Sequence, residues 1–160
     1  MPAFGPLTAP DAAAIACWVA SQQDVTLFAG PDLEYPLEPE GLLGLIGPRY
    51  RTWVLAEAGR PVATGSLTFK PDAARARLCR ILVDPARRGE GWGRRITEFL
   101  IARALDEPWV ATLELGVYVH NRGAVALYRS LGFDPVGEPE DRDVVGESWT
   151  ILQLERPASP

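Results

Sequence analysis

The feature that most constrains this chain is a glycine-rich loop at residues 87–95, which reads Arg-Arg-Gly-Glu-Gly-Trp-Gly-Arg-Arg. It follows a mostly apolar run at residues 78–83 and precedes a stretch of helical periodicity that begins near Trp92. Glycines permit positive φ angles and a close approach of the backbone to a ligand. A loop that opens a helix also directs free N–H groups and the positive end of the helix dipole at one point. The sequence therefore predicts a strand, an anion-binding loop and a helix in succession.

Two common phosphate-binding loops do not fit this stretch. A nucleotide-hydrolase loop needs Lys-Ser or Lys-Thr after its second glycine, but the only lysine of the chain, Lys70, lies elsewhere. A dinucleotide-binding fingerprint needs a third glycine where this chain has isoleucine or arginine. The spacing that does fit a phosphate loop is Arg88-x-x-Gly91-x-Gly93, between a strand and a helix.

Length and composition predict one α/β domain over residues 1–160. The chain is 47% hydrophobic and 23% charged, which suffices for a sizeable core. Its net charge of −5 argues against nonspecific nucleic-acid binding and mildly favours cationic small molecules or basic peptides. We expect Cys17 and Cys79 to be thiols in a reducing compartment. With no long apolar run and no leader, a cytoplasmic protein without membrane contact is expected.

Hydrophobic periodicity predicts helices and strands in alternation. Helices are expected from Thr8 to about residue 20, at residues 40–46, from Trp92 to about residue 105, and from Asn121 to Gly132. Residues 22–39 are interpreted as an apolar loop, in which Phe28 and Tyr35 are candidates for the wall of a substrate pocket. We expect a frayed tail at residues 157–160. The predicted strands are residues 51–57, 61–69, 75–83, 112–119, 133–136 and 148–154.

A second motif lies about 30 residues after the loop, on a predicted strand and helix. It reads Leu115-x-Val117-x-x-x-Asn121, then Ala124, Leu127-Tyr128 and Leu131-Gly132-Phe133. Together the two motifs resemble the GNAT superfamily of acyl-CoA-dependent N-acetyltransferases, and the resemblance covers roughly residues 51–154. It implies an α/β (α+β) fold with a mixed, mostly antiparallel sheet of six to seven strands and about four flanking helices. The two central parallel strands would splay apart.

The resemblance also implies how acetyl-CoA binds as co-substrate, without a metal. The backbone of the strand before the loop would hold the pantetheine arm, and the loop would bind the pyrophosphate between two arginines. An asparagine after the next strand would also contact the pantetheine. The residues implied for the coenzyme are Ile81, Leu82, Val83, Arg88, Gly89, Glu90, Gly91, Trp92, Gly93, Arg94 and Asn121.

The implied reaction is direct transfer of an acetyl group from acetyl-CoA to a primary amine. The amine must lose a proton, because a free alkyl ammonium has a pKa near ~10. A backbone N–H on the splayed strand is a natural donor to the oxyanion. Tyr128 corresponds to the tyrosine that often protonates the departing thiolate, although its place on an apolar helix face also suits a core tyrosine. Asn121 likewise fits a helix cap as well as a coenzyme contact.

The sequence leaves the general base open. At the two positions where relatives place a glutamate, this chain has Arg77 and Gly116. Glu114 is a weak candidate on the same strand, and on the same side of the pleat, as Gly116. A water relay, Glu34 and Tyr118 are equal alternatives.

The acceptor is expected to be a small-molecule amine, with a peptide or protein N-terminus second. The acidic residues between 138 and 147 could attract a cation or form a solvated surface loop. Acetyl versus longer acyl donors stays open, and we allow for a homodimer. The alternative function is a catalytically silent acyl-CoA sensor, which the missing glutamates favour. Nucleic acid is not expected as a partner.

Overall fold

A mixed sheet of seven strands runs through the residues that the computed structural model describes, 1–44 and 50–159. The strands are β1 (Ala3–Pro6), β2 (Arg51–Glu57), β3 (Arg60–Lys70), β4 (Arg75–Val83), β5 (Thr112–Tyr118), β6 (Asp134–Val144) and β7 (Glu147–Pro157). Their order in the sheet is β1-β2-β3-β4-β5-β7-β6. All described pairs are antiparallel except β4 with β5. The predicted mixed sheet is confirmed, and β1 is a strand that the sequence analysis did not predict.

Five α-helices flank this sheet in the described part of the chain. They are α1 (Ala9–Ala16), α2 (Gln22–Ala29), α3 (Pro39–Leu43), α4 (Trp92–Leu105) and α5 (Arg122–Ser130). A capping box starts α1, because Thr8 Oγ1 accepts the Asp11 N–H at 3.4 Å and Asp11 accepts the Thr8 N–H at 3.1 Å. The predicted end of α3, at residues 46–48, lies outside the described residues. None of the helices within residues 1–44 and 50–159 is long and apolar enough to cross a membrane.

The prediction of a loop over residues 22–39 is wrong for α2. Ser21 is the N-cap of this helix, and its Oγ accepts the Asp24 N–H at 3.1 Å. The Asp24 carboxylate in turn accepts the Ala20 N–H at 2.8 Å. A Ser-x-x-Asp pattern is therefore the helix-start signal that the apolar composition of this stretch concealed.

The parallel strands β4 and β5 pair only at their beginnings. The pairs are Arg75 with Thr112, Ala76 with Leu113 and Arg77 with Glu114. Beyond this point β4 stays paired with β3 as far as Val83, and β5 stays paired with β7 as far as Tyr118. The sheet therefore opens into a cleft at its centre, which confirms the predicted splay.

A β-bulge interrupts β4 beside this cleft. Ser66 pairs with Cys79 and Thr64 pairs with Leu82, so one residue of β3 faces two residues of β4, Arg80 and Ile81. Arg80 has a φ of +52°, in the left-handed region that non-glycine residues rarely adopt. A bulge breaks the alternation of side chains and turns one of them in a new direction.

Two hydrophobic clusters form on opposite faces of the sheet. Helices α4 and α5 cover one face, where Ile96 and Leu100 of α4 are fully buried. The close contact requires Gly65 on β3, because a Cβ there would lie 2.7 Å from Leu100 Cδ1. Helices α1 to α3 cover the other face with a second cluster that includes Ile15 and Val25. The cleft thus lies between two separately packed layers.

The last two strands form a long hairpin in place of a predicted loop. The acidic residues at 138, 140, 141 and 143 belong to β6, and Val145 and Gly146, both with positive φ, form the turn to β7. Two consecutive positive φ angles are typical of the tight hairpin turns that match strand twist. The tail predicted to be frayed is ordered at its start, since Pro157 pairs with Thr112 and the Ala158 N–H donates to the Ala111 carbonyl at 2.9 Å. Residue 160 lies outside the described part.

Glu114 lies on the last residue pair before β4 and β5 separate, where three cations surround its carboxylate. Lys70 Nζ is 2.6 Å away, Arg75 Nη1 3.1 Å and Arg77 Nη1 3.6 Å, and the Glu114 side chain is 11% exposed. Burial raises the pKa of Glu114, but the hydrogen bond from Lys70 and the charges of Lys70 and Arg77 outweigh it, so the pKa is lowered. Glu114 therefore holds the closed end of the cleft as a carboxylate.

Replacing Glu114 with glutamine should lower the free energy of unfolding by about 2 kcal/mol, because the three cations lose their shared carboxylate. Urea denaturation followed by tryptophan fluorescence measures this change. The lowered pKa means that the contribution is present above the ordinary value of 4.5 and is lost as the pH falls through the lowered value. The difference between parent and variant should therefore shrink in acid.

The matched control is Glu107→Gln, since Glu107 pairs with a mostly exposed Arg51 at 3.0 Å. This exposed pair should contribute less than about 1 kcal/mol. Equal losses in the two variants, or a difference that does not change in acid, would contradict the role given to Glu114.

Candidate functional site

The cleft between β4 and β5 continues into a cavity of about 350 Å³, which we call the loop cavity. Its walls come from the end of β4, the glycine-rich loop, the first turn of α4 and one side of α5, together with α2 and the two residues 18 and 19 that precede it. Nine of the eleven residues predicted to bind the coenzyme line it: Ile81, Leu82, Val83, Arg88, Gly89, Gly91, Trp92, Gly93 and Asn121. Glu90 and Arg94 do not.

The glycine-rich loop leads into a helix whose first turn has no acidic side chain. Gly89 and Gly91 have φ angles of +81° and +87°, and a Cβ at either position would meet no atom within 4 Å. Gly91 is the N-cap of α4 and offers no side-chain cap, and the first turn contains no acidic residue. Arg94 and Arg95 add two positive charges to that turn. These features fit a phosphate or pyrophosphate group.

Glu90 shapes the loop from within. Its carboxylate accepts hydrogen bonds from Arg87 Nε and Trp92 Nε1, both at 2.8 Å. These hydrogen bonds lower the pKa of Glu90. Arg87 also donates to Glu57 at 2.6 Å, and Arg87 and Arg95 lie over the Trp92 ring at 5.3 and 4.8 Å. The side chain of Glu90 therefore braces the loop against β2 and α4.

The two arginines predicted to flank the pyrophosphate differ in their contacts. Arg88 is exposed and lines the loop cavity. Arg94 donates to Ser130 Oγ at 2.6 Å and lies 3.5 Å from Glu98, so its side chain links α4 to the end of α5. Arg88 is thus the arginine of this pair that faces the cavity.

Asn121 and Tyr128, from the second motif, line both the loop cavity and a smaller cavity beside it. Asn121 is the N-cap residue of α5, but its side chain makes no capping hydrogen bond. Tyr128 is 8% exposed. Burial raises the pKa of Tyr128 to about 12. The hydroxyl therefore stays protonated at neutral pH, as a proton donor requires.

A second cavity of about 230 Å³ lies on the other side of the splayed strands, and we call it the arginine cavity. Its walls are the end of α2, the middle of β4 and parts of β5, β6 and β7. A junction cavity of about 50 Å³ lies beside both and is lined by Tyr128, Asn121 and Arg80 among others. The residues of the arginine cavity are Thr26, Leu27, Phe28, Ala29, Gly30, Pro31, Asp32, Tyr50, Thr68, Arg77, Leu78, Cys79, Arg80, Gly116, Tyr118, Arg142 and Ile151.

The two residues predicted to contact the acceptor lie in different places. Phe28 lines all three cavities and separates the loop cavity from the arginine cavity. Tyr35 is 45% exposed and lines none of them. Tyr35 lies beyond α2, on an exposed part of the chain, and its role as a substrate contact stays a prediction.

The structure argues against the carboxylates considered as bases. Glu114 lines none of the three cavities, and its lowered pKa makes it a poor proton acceptor. Glu34 is exposed and also lines none, whereas Tyr118 lines the arginine cavity. Arg77 fills the space beside Gly116, where a Cβ would lie 2.8 Å from the Arg77 Nη2 atom. Relatives were expected to carry glutamate at positions 77 and 116. Here the side chain of Arg77 fills the space that a side chain at position 116 would need.

Cys79 and His120, the thiol and the imidazole near the cleft, have surroundings that fit a role in packing and not in catalysis. Burial raises the pKa of the Cys79 thiol, which contacts the Ser66 carbonyl at 3.7 Å, so it is a poor nucleophile. The His120 ring packs against Trp149 with centroids 4.5 Å apart and lines no cavity described above. Within residues 1–44 and 50–159, no group of three or more His, Cys, Asp or Glu residues is placed to hold a metal ion.

The wall formed by α2 and by the segment between α1 and α2 is the part of the site that sequence reasoning missed. Trp18, Val19, Asp24 and Leu27 line the loop cavity from this side. The two sequence motifs lie in the second half of the chain and give no information about these residues. The capping pattern at the start of α2 would have predicted the helix, and hence which of its residues share a face.

Comparisons with known proteins agree with this geometry. The model of the acetyltransferase (GNAT) family matches residues 14–133. The chain is 40% identical over 88 residues to the ribosomal protein bS18-alanine N-acetyltransferase of Escherichia coli (strain K12), a match over 55% of this chain and 57% of that protein. This chain therefore matches little more than half the length of that relative.

Solved structures show the same fold over nearly the whole chain. The ribosomal-protein-S18-alanine N-acetyltransferase from Escherichia coli superposes with a TM-score of 0.75 and 26% identity, covering 100% of this chain and 96% of that one. Spermidine N-acetyltransferase from Vibrio cholerae, in complex with CoA and spermine, gives a TM-score of 0.80 at 19% identity, over 99% and 96% of the chains. The family model and the shared fold together show that this chain belongs to the acetyltransferase (GNAT) family.

Proposed function

We propose that the protein transfers an acetyl group from acetyl-CoA directly to a primary amine. The observation that carries the proposal is that the junction cavity, which Tyr128 lines, shares wall residues with both larger cavities, of which only the loop cavity includes the glycine-rich loop. A two-substrate reaction suits this arrangement, because the amine must reach a face of the thioester carbonyl carbon that the coenzyme does not cover.

The loop cavity is proposed as the acetyl-CoA site. The N–H groups at the start of α4 and the Arg88 side chain would bind the pyrophosphate. The end of β4, which has no β5 partner beyond Arg77, leaves backbone groups free to bind the pantetheine arm. Asn121 would contact the same arm, since its side chain is not used as a helix cap.

Tyr128 is proposed as the general acid that protonates the departing thiolate. Its raised pKa keeps the hydroxyl protonated, and its side chain lines both the loop cavity and the junction cavity, which supports this role. Backbone N–H groups at the bulge of β4 are candidates to stabilise the oxyanion.

Water is proposed to accept the proton of the amine. The carboxylates on the walls of the two larger cavities are Asp24, which accepts the Ala20 N–H, and Asp32, which is 73% exposed. Neither one lines the junction cavity beside Tyr128. A water relay from the arginine cavity is therefore preferred, with Tyr118 as the alternative group on that wall.

The acceptor is proposed to be a small-molecule amine, with a protein N-terminus second. The sequence relative named above supports the second class, because its name specifies an alanine of a ribosomal protein. A cytoplasmic location and a homodimer stay predictions from the sequence. Release of the CoA thiol from acetyl-CoA, measured over pools of small amines and of N-terminal peptides, tests both acceptor classes. Turnover of peptides alone would reverse their order.

Replacing Tyr128 with phenylalanine should lower kcat by about a hundredfold, because the thiolate would leave without a proton donor. The apparent affinity for acetyl-CoA should stay the same, since the ring still fills its place in the wall. Steady-state thiol release and a calorimetric titration of acetyl-CoA measure the two quantities.

The matched control is Tyr35→Phe, because Tyr35 is exposed and lines none of the cavities. It should leave both kcat and affinity unchanged. Acetyl-CoA binding without turnover of any amine by the parent protein would instead favour the silent acyl-CoA sensor.

Replacing Gly91 with alanine should weaken acetyl-CoA binding because the backbone N–H groups of the loop would move as the φ of +87° relaxes. The same strain should lower the free energy of unfolding by about 1 kcal/mol. Calorimetric titration and urea denaturation measure the two effects.

Gly59→Ala is the matched control, since Gly59 has a φ of +75°, has open space around it and lies in the β2–β3 turn. It should lose similar stability and keep full affinity for acetyl-CoA. If both variants bound acetyl-CoA equally well, the loop would not be the pyrophosphate site.

A further inference from the structure

Arg80 is a buried cation that the proposed reaction does not use. Its side chain is 8% exposed, and its Nε atom has no hydrogen-bond partner among the described residues. The Asp32 carboxylate is 3.9 Å from an Arg80 Nη atom and is itself 73% exposed. The guanidinium lies 4.2 Å from the centre of the Tyr50 ring. A buried charge with so few partners is destabilising unless a ligand completes its contacts.

The bulge in β4 determines which cavity Arg80 faces. Arg80 lines the arginine cavity and the junction cavity but not the loop cavity. It is therefore on the side of the cleft away from the anion-binding loop, next to the place where the amine would meet the thioester. A role in holding the pyrophosphate of acetyl-CoA does not fit this position.

Cationic side chains outnumber carboxylates on the wall of the arginine cavity, although the whole chain carries a net charge of −5. Its wall contains three arginines, Arg77, Arg80 and Arg142, and one carboxylate, Asp32, a formal balance of three minus one, or +2. Arg77 shares the Glu114 carboxylate with two other cations. The nearest carboxylate to Arg142 is that of Glu140, 3.6 Å away. A polycationic acceptor would be repelled by such a wall.

We infer that the acceptor amine carries a carboxylate, and that Arg80 binds this carboxylate in the arginine cavity. The inference rests on the proposed function and specifies its substrate as a small amino acid. A guanidinium presents a planar fork of donors that matches a carboxylate, and the free Nε is one of the donors in that fork. The cavity is smaller than the roughly 300–1,000 Å³ of ordinary ligand pockets, which suits a small acceptor.

The first experiment measures binding without turnover. The protein saturated with CoA, which carries no acetyl group to transfer, is titrated calorimetrically with the twenty α-amino acids, β-alanine and γ-aminobutyrate. The corresponding carboxamides are titrated in parallel, because they keep the amine and lose the negative charge. At least one amino acid should bind about tenfold more tightly than its amide, the effect expected for a charged hydrogen-bonded pair.

The second experiment compares Arg80→Gln with Arg80→Lys and with Arg60→Gln, a change at an exposed arginine at the start of β3. Arg80→Gln should abolish the preference for the amino acid over its amide. Arg80→Lys should keep part of the preference, and Arg60→Gln all of it. Affinity for acetyl-CoA should be the same in all of them. The melting temperature of Arg80→Gln should not fall, because the parent residue gains little from its described partners.

Several outcomes would overturn the inference. These are equal binding of amino acids and amides, binding of no amino acid at all, and a preference that survives in Arg80→Gln. Arg80-dependent binding confined to peptides with an acidic second residue would replace the small acceptor with a protein N-terminus. Failure of the proposed function looks different, since acetyl-CoA would then fail to bind or thiol release would be absent while the Arg80-dependent preference persisted.

Discussion

The separation of β4 and β5 after three residue pairs is the constraint on which the site depends. While the strands are paired, Arg77 and Glu114 lie side by side within a cluster of three cations and a buried carboxylate. Beyond that pair the two strands follow different neighbours, β3 and β7. Parallel strands that stop pairing leave backbone groups to be satisfied by something other than the sheet. The cleft, the two cavities and the free end of β4 all follow from this divergence.

Positive charge lies at two places along this cleft, one beside the glycine-rich loop and one in the arginine cavity. At the loop, a helix start without an acidic residue carries two arginines, an arrangement that would be unfavourable without a bound anion. On the opposite side, the cation at Arg80 is brought inward by a bulge and meets few carboxylates. Glu90 and Glu114, by contrast, serve the structure, because each is held by arginine or lysine side chains with a lowered pKa.

The sequence predicted the parts of the fold that have strong local signals. Residues 51–57, 75–83 and 92–105 form the elements predicted for them, because alternation, an apolar run and a glycine-marked helix start are unambiguous there. Of the eleven coenzyme residues that the two motifs predicted, nine line the loop cavity. The secondary-structure prediction was wrong where a local pattern is compatible with two kinds of structure. The apolar residues of α2 and the acidic residues of β6 were both assigned to loops.

The surroundings of individual side chains depend on information of a different kind. Glu114 and Tyr35 were selected by residue type and distance along the chain, but only the three-dimensional arrangement shows that one is neutralised and the other faces outward. The sequence analysis did not select Arg80 as a site residue. The direction of its side chain depends on a bulge and a positive φ, and no local sequence pattern of the strand predicts either one. Long-range register is the information that was missing.

Helix α2 has a consequence for how two ligands would influence each other. Leu27 and Phe28, in its last turn, belong to the walls of both large cavities. If α2 loses conformational entropy when a ligand fills one cavity, a ligand that then fills the second cavity does not have to order this helix again. Donor and acceptor would then favour each other's binding by the same factor, a reciprocal linkage that operates through one shared helix and requires no contact between the ligands.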